Sequence, residues 1–227
     1  MRKNKKYTVY SLFTGAGGFD IGFEEAGFEI IGASDIWKES EKTMNLNFPN
    51  VPFICKDIRL LTSKEILEST KGKYPDVIIG GPPCQGFSIA GKRIIDDERN
   101  QLYKSFVSFV KHYQPKIFLM ENVPNIVSMG KGIVKDSIIK DFEKLGYSVV
   151  YKVLLASDFG VPQNRRRAFF VGTKNNKEFV FPEPITKNPL SAKDAISDLP
   201  EKSLTDGTKY KTEPKSDYQK LIRGKSD

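Results

Sequence analysis

Residues 7–20 read YTVYSLFTGAGGFD, and this segment sets the architecture expected for the chain. Its first half is rich in β-branched and aromatic residues, which favour a strand, and the glycines Gly15, Gly17 and Gly18 follow directly. A helical pattern begins after them. A glycine-rich turn between a first strand and a first helix lets a ligand approach backbone N–H groups at the helix N-terminus. The dinucleotide-binding pattern GxGxxG is not met, because Asp20 stands where the third glycine belongs.

Strand-like and amphipathic segments alternate along most of the chain. Strands are predicted at residues 7–13, 28–33, 51–54, 75–79, 116–120, 147–155 and 168–172, and later helices at 37–46, 62–69, 100–113 and 133–145. This alternation predicts an α/β protein with a mostly parallel sheet covered by helices on both faces. Prolines and lysines become dense after Phe181, where only residues 191–198 have a helical pattern. We therefore expect one domain at residues 1–181 and a Pro/Lys-rich arm at residues 182–227.

The composition is that of a soluble globular protein, with 227 residues of which 39% are hydrophobic and 28% charged. No apolar run approaches the ~18 residues that span a bilayer, so no membrane partner is expected. Cys55 and Cys84 are too few for a disulfide scaffold and suit a reducing cytoplasm. His112 is the only histidine, so neither a histidine-based metal site nor a Ser-His-Asp triad is expected.

The formal net charge of +8 favours a polyanionic partner, with nucleic acid first among them. The alternative is that the charge serves only solubility.

Acidic residues follow two successive predicted strands. Asp35 lies 20 residues after Gly15, at the end of the second strand, and Asp57 follows the third. Carboxylates at these positions can accept hydrogen bonds from ribose hydroxyls, which suits a nucleoside that brings no phosphate. S-adenosylmethionine is such a ligand, and its sulfonium is positively charged. The alternative is an ordinary tight turn with solvated acids.

The segment Gly80–Ser88, GGPPCQGFS, places Cys84 between prolines and a glycine after a predicted buried strand. Open α/β sheets bind ligands at the carboxyl ends of their strands, and prolines fix such a loop at little entropic cost. A cysteine held there is a nucleophile if its thiolate is favoured. The alternative is a small buried residue in a rigid turn.

Glu121 follows the predicted strand KIFLM and is expected at the same sheet edge as Cys84. A buried carboxyl group at this edge could donate or share a proton. The alternative is an acid at a helix start, where the helix dipole favours it.

Residues 163–167, QNRRR, lie between the last two predicted strands. An arginine cluster there can bind phosphate or a base edge, or support a thiolate. The alternative is a solvated hairpin tip.

In this order and separation, the four segments resemble the C5-cytosine DNA methyltransferases. FTGAGGF resembles the first motif of that family, GPPCQGFS its catalytic Pro-Cys motif, ENV its glutamate motif and QNRRR its Q-x-R-x-R motif. The resemblance extends from Tyr7 to about Gly172. It implies a Rossmann-like S-adenosylmethionine-dependent methyltransferase fold, with a last strand antiparallel to the others.

The resemblance also implies a cofactor pocket for S-adenosylmethionine, with S-adenosylhomocysteine as the product. Its residues would be Phe13, Gly15, Gly17, Gly18, Asp35, Ile36, Asp57, Ile58, Pro83 and Leu102. Asp35 would hold the ribose, Ile36 would face the adenine, and Asp57 would contact the adenine edge.

The catalytic residues implied by the resemblance are Cys84, Glu121, Arg165 and Arg167. Cys84 would attack C6 of cytosine, and Glu121 would contact N3 and the exocyclic amine. Arg165 would fix the cytosine carbonyl, while Arg167 would support the loop near Cys84. The substrate would be duplex DNA with the target base flipped out of the stack. Expected DNA contacts are Ser88, Lys92, Arg93 and Gln163.

The chain departs from the family pattern after Gly172. The family normally continues with a target-recognition region and two more motifs, the last of which completes the cofactor pocket. Residues 191–200, with Tyr218, Gln219 and Arg223, resemble only the stretch upstream of target recognition. We therefore expect the catalytic part of a restriction-modification type methyltransferase, either truncated or one subunit of a split enzyme whose second chain supplies the rest. Its expected setting is the bacterial or phage-infected cytoplasm, near the nucleoid.

Three other interpretations stay open. One is methylation of cytosine in RNA, although the Cys-Phe-Thr segment typical of that branch is absent after ENV. Another is a non-catalytic DNA-binding or regulatory half-protein, which the intact Cys84, Glu121 and paired arginines disfavour. The third is a nicotinamide-dependent oxidoreductase, which Asp20 and the Cys84 motif disfavour.

Overall fold

The computed structural model describes residues 6–83, 101–175, 177–186, 188–199 and 213–224. Within these ranges the strands are β1 (Thr8–Leu12), β2 (Glu29–Asp35), β3 (Phe53–Cys55), β4 (Val77–Gly80), β5 (Ile117–Asn122), β6 (Tyr147–Leu155) and β7 (Arg166–Lys174). The helices are α1 (Gly18–Glu25), α2 (Lys38–Asn47), α3 (Ser63–Ser69), α4 (Gln101–Tyr113), α5 (Ile133–Glu143), α6 (Ala192–Ile196) and α7 (Asp217–Ile222). Among the described residues, none of the helices has the length and apolar character needed to cross a membrane.

The described strands form a seven-stranded sheet in the order β3-β2-β1-β4-β5-β7-β6. The neighbouring strands β3 and β2, β2 and β1, β1 and β4, and β4 and β5 pair in parallel. Strand β7 runs antiparallel to β5. The predicted α/β fold with a mostly parallel sheet and an antiparallel last strand is therefore confirmed. Because the strand order reverses direction beside β1, a ligand crevice is expected at the carboxyl ends of β1, β2 and β4.

The chain divides into two compact units. The described residues of Met1–Val153 and Arg167–Val180 make the first, and those of Leu154–Arg166 and Phe181–Asp227 make the second. The division at residue 181 expected from the sequence stays a prediction.

The core of the first unit packs α4 and α5 against the sheet. Phe106 of α4, Phe118 of β5 and Phe142 of α5 are fully buried. The rings of Phe118 and Phe142 stack with centroids 3.9 Å apart, and Phe106 meets both rings edge-on. Burying one such side chain contributes roughly 1.5–3 kcal/mol. This cluster therefore fixes β5, whose carboxyl end carries Glu121.

Strands β5 and β7 extend further than the sequence predicts. β5 continues through Glu121 and Asn122, because their backbones pair with Phe169 and Ala168 of β7. Glu121 is thus a strand residue and not the first residue of a loop. β7 correspondingly begins at Arg166.

The second unit contains a helix that the sequence analysis missed. α7 was not expected, because its six residues are too few to show an apolar repeat. Its N-terminus is nevertheless marked in the sequence, since Ser216 and Gln219 form a reciprocal capping box. Gln219 is 1% exposed and donates to Ser197 Oγ at 3.0 Å, which joins α7 to the end of α6.

Candidate cofactor and active site

The glycine turn after β1 has an unusual backbone. Phe13, Gly15 and Gly17 have positive φ angles of 55°, 57° and 81°, so the chain reverses sharply between β1 and α1. A Cβ at position 17 would lie 2.6 Å from Met44 Sδ of α2. A side chain at position 17 would therefore be disfavoured by the backbone conformation and would also collide with Met44 of α2.

Asp35, at the end of β2, is held by the turn. The Gly15 N–H donates to Asp35 Oδ2 at 2.9 Å, and the Trp37 N–H donates to Oδ1 at 3.1 Å. Each carboxylate oxygen keeps a lone pair for a further donor. The Thr14 N–H donates to the Ser34 carbonyl at 3.2 Å, which ties the turn to β2 a second time. Two backbone N–H groups thus orient the carboxylate.

A cavity of about 390 Å³ lies at this edge of the sheet. Its lining residues are Phe13, Gly15, Ser34, Asp35, Ile36, Trp37, Lys56, Asp57, Ile58, Arg59, Gly81, Pro83 and Leu102. Eight of the ten residues expected to bind the cofactor are among them. The other two, Gly17 and Gly18, do not line it.

Sequence reasoning missed the role of Arg59. Its Nε lies 3.0 Å from both carboxylate oxygens of Asp57, and this guanidinium lowers the pKa of the Asp57 carboxyl. Asp57 thus stays an ionised acceptor with part of its capacity used. The sequence did contain an indication of this contact, because Arg59 follows Asp57 by only two positions and so lies on the same tight turn. Trp37, the only tryptophan of the chain, is 67% exposed at the rim.

These residues fit an adenosine-containing cation. Asp35 offers fixed acceptors for a diol, Asp57 an acceptor for an amine, and Ile36, Pro83 and Leu102 apolar surface for a base. Lys56 and Arg59 also line the cavity, where they pair with Glu65 and Asp57, so the Asp35 carboxylate supplies the negative charge that a positively charged ligand would meet.

Glu121 forms an ion pair with Arg167. The Arg167 Nε lies 2.7 Å from Glu121 Oε1, and the two side chains are 25% and 22% exposed. Charge-assisted hydrogen bonds of this length are among the stronger polar contacts in proteins. The expected support of the loop near Cys84 by Arg167 stays a prediction, because Cys84 lies outside the described residues; within the first unit, Arg167 pairs with Glu121.

Asn122 links the end of β5 to the segment after β4. Its side chain is 5% exposed, and Nδ2 donates to the Pro82 carbonyl at 2.8 Å. Its Oδ1 accepts from the Val123 N–H at 2.9 Å, which fixes the amide orientation. Pro82 and Pro83 are therefore held against the strand that carries Glu121.

Asp20 is a buried carboxyl group behind the glycine turn. Ser11 Oγ donates to its Oδ2 at 3.1 Å, and Thr14 Oγ1 donates to the same oxygen. Oδ1 has no partner among the described residues, and burial raises the pKa of the group. Asp20 therefore connects β1, the turn and α1.

The roles expected of the remaining residues stay predictions. Cys84, Ser88, Lys92 and Arg93 lie outside the described residues. Gln163 and Arg165 are exposed and belong to the second unit, where the Arg165 carbonyl accepts from the Ala156 N–H at 2.9 Å.

The strand order, the antiparallel β7 between β5 and β6, and a cavity after β1, β2 and β4 define the Rossmann-like methyltransferase class. Within that class, the family model for C-5 cytosine-specific DNA methylases matches residues 7–226. The chain belongs to this family.

Individual relatives agree with the family assignment. The chain is 43% identical over 205 residues to Type II methyltransferase M1.HphI of Haemophilus parahaemolyticus, a match that covers 86% of this chain and 55% of the relative. It is 44% identical over 187 residues to Type II methyltransferase M.AquIA of Picosynechococcus sp., covering 78% and 75%. The chain thus spans little more than half the length of M1.HphI.

A solved structure supports the fold. It is described as a DNA modification methyltransferase encoded within an E. coli prophage, and it matches with a TM-score of 0.73 and 35% identity. The match covers 86% of this chain and 56% of that protein.

Proposed function

We propose that this chain carries the cofactor-binding and catalytic part of an enzyme that methylates C5 of cytosine in duplex DNA. The observation that carries the proposal is the cavity after β1, β2 and β4, with Asp35 oriented in its wall and Gly81 lining it. Family membership supports cytosine as the acceptor, and the net charge of +8 supports a nucleic-acid partner.

The cofactor proposed for the cavity is S-adenosylmethionine, held by Asp35 at the ribose and by Asp57 and Ile58 at the adenine. When bound, it supplies a methyl group carried on a positively charged sulfur. Gly15 lines the cavity without a side chain that would fill it, and its N–H holds the Asp35 carboxylate.

The proposed chemistry begins at Cys84. Its thiolate adds to C6 of cytosine, which forms a C–S bond and gives C5 the electron density that a methyl acceptor needs. Glu121 contacts N3 and the exocyclic amine as charge develops in the ring, and Arg165 binds the cytosine carbonyl. After methylation, C5 loses its proton, and the released electron pair breaks the C6–S bond to free Cys84. The target base leaves the stack first, because its ring faces are covered within the duplex.

We further propose that target recognition is supplied by a segment outside this chain, whether in the same protein or in a second chain. Support comes from the relatives, since nearly half of M1.HphI lies beyond the matched part.

The test has two stages. S-adenosylmethionine is titrated into the chain while Trp37 fluorescence is recorded, and labelled methyl transfer to mixed-sequence duplex DNA is then measured, with Cys84→Ser as control. We expect saturable binding in both proteins and label only where Cys84 is present. Absence of cofactor binding overturns the proposal. Binding without transfer by the chain alone supports the cofactor site and the need for the missing segment, whereas transfer by Cys84→Ser overturns the nucleophile assignment.

A further inference from the structure

Gly80 is the last residue of β4 and Gly81 follows it, and a side chain would be obstructed at the two positions by different neighbours. A Cβ at Gly80 would lie 2.5 Å from the Leu12 carbonyl oxygen, so Gly80 lets β1 and β4 pair closely. A Cβ at Gly81 would instead lie 3.2 Å from Glu121 Oε2. Neither Gly80 nor Gly81 has the positive φ that would itself require glycine. The space for a side chain at position 81 is therefore limited by the Glu121 carboxylate.

Gly81 also lines the cavity proposed for the cofactor, so a side chain added at this one position would meet the Glu121 carboxylate at the edge of the cavity. Glu121 has little freedom to withdraw. Its other oxygen is held by Arg167 at 2.7 Å, and its backbone is paired with Phe169 in the sheet.

We infer that Gly81 is a positioning residue for methyl transfer, because its missing side chain sets the spacing between the Glu121 carboxylate and the cofactor cavity. This inference rests on the proposed function. A Cβ 3.2 Å from the carboxylate oxygen shifts either the Glu121 carboxylate or the segment Gly81–Pro83 by a few tenths of an ångström. Reacting atoms must approach within about 3–3.5 Å, and a misplacement of ~1 Å can reduce the rate by about 100-fold.

The first experiment separates binding from transfer in Gly81→Ala. We expect cofactor affinity within about threefold of the unmodified chain, since the cavity's oriented acceptors are untouched, while transfer falls by about tenfold. Transfer is measured with whatever additional segment the unmodified protein requires. Gly22→Ala is the matched control, because a Cβ at Gly22 of α1 meets nothing within 4 Å. Equal transfer by Gly81→Ala and Gly22→Ala overturns the inference, as does a loss of cofactor affinity as large as the loss of transfer.

The second experiment needs no activity. Thermal midpoints are measured for Gly81→Ala in three backgrounds: Glu121, Glu121→Gln and Glu121→Ala. We expect Gly81→Ala to lower Tm by about 3 °C where the long side chain is present, in Glu121 and in Glu121→Gln, and by much less in Glu121→Ala. An equal loss in all three backgrounds means that Glu121 is not what limits position 81.

Failures of the two proposals are distinguishable. If the unmodified chain does not bind S-adenosylmethionine, the proposed function fails, and an inference about spacing for transfer falls with it. If binding and transfer occur but the stability coupling between positions 81 and 121 is absent, only the role of Gly81 fails.

Discussion

Asp35 is oriented before any ligand arrives, because two backbone N–H groups hold its carboxylate. Replacing it by asparagine removes the charge and one acceptor oxygen, and hydrogen bonds to charged groups contribute about 1.5–3 kcal/mol. We therefore expect Asp35→Asn to weaken S-adenosylmethionine binding by about 10- to 100-fold, measured by titration of Trp37 fluorescence. Asp136→Asn is the control, since Asp136 is an exposed acid of α5 outside the cavity. Equal affinities in the two variants would remove Asp35 from the cofactor site.

The buried carboxyl group of Asp20 is expected to make the stability of the fold depend on pH. Burial raises its pKa above the ordinary value of 3.8, so between these two values the folded state holds a proton that the unfolded state has released. This contribution to stability is fully present below the ordinary value and is lost as pH rises through the raised folded value. Asp20→Asn does not titrate but keeps an oxygen for the Ser11 and Thr14 hydroxyls.

Thermal midpoints of Asp20→Asn and the unmodified chain should therefore diverge with pH. The variant's Tm minus that of the unmodified chain is expected to increase from about pH 4 to about pH 7. A constant difference across this range would mean that Asp20 is ionised in the folded protein at all of these pH values.

At the scale of single residues, the sequence located Asp35 and Asp57 because acids after successive parallel strands lie at one sheet edge. It did not locate the Asp57–Arg59 contact or the hydroxyl pair on Asp20, because these depend on side-chain directions within a turn. The pairing of Arg167 with Glu121 became apparent only from the β5–β7 register, while the expected role of Arg167 near Cys84 stays a prediction.

At the scale of elements, the end of β5 holds the segment that leads toward Cys84. Asn122→Asp replaces the amide that donates to the Pro82 carbonyl by an oxygen facing an oxygen, at a site 5% exposed. Leaving a buried polar group without a partner costs about 1–3 kcal/mol. We expect Tm to fall by roughly 3–9 °C. Asn125→Asp is the matched control, because Asn125 is exposed, and an equal fall in both variants would contradict the role of Asn122.

The alternation of strands and helices was sufficient to predict the sheet, because buried parallel strands have continuous apolar runs that glycine and proline interrupt. The same rule placed the predicted end of β5 two residues too early. Glu121 and Asn122 are polar, yet they remain in the strand because β7 pairs with them. α7 was missed for the opposite reason, since its stability comes from a capping box and a buried amide and not from apolar spacing.

At the scale of the whole molecule, the two units differ in what stabilises them. The first has a large aromatic core, whereas the second depends heavily on polar contacts between α6 and α7. Asp198 is 3% exposed and bonds the Arg223 guanidinium through both of its oxygens at 3.2 Å. Arg223 is 24% exposed, so removing its guanidinium weakens the compensation of the buried Asp198 carboxylate at a cost of about 1–3 kcal/mol.

Arg223→Ala should therefore loosen the second unit without changing cofactor binding, because every residue that lines the cavity belongs to the first unit. Limited proteolysis with mass spectrometry should show faster cleavage between residues 181 and 224, while titration of Trp37 fluorescence gives an unchanged affinity for S-adenosylmethionine. Lys220→Ala is the control, since its partner Asp217 is fully exposed and exposed ion pairs contribute little. A loss of cofactor affinity in Arg223→Ala would show that the cavity depends on the second unit. Cofactor binding would then have to be measured only on chains that contain both units intact.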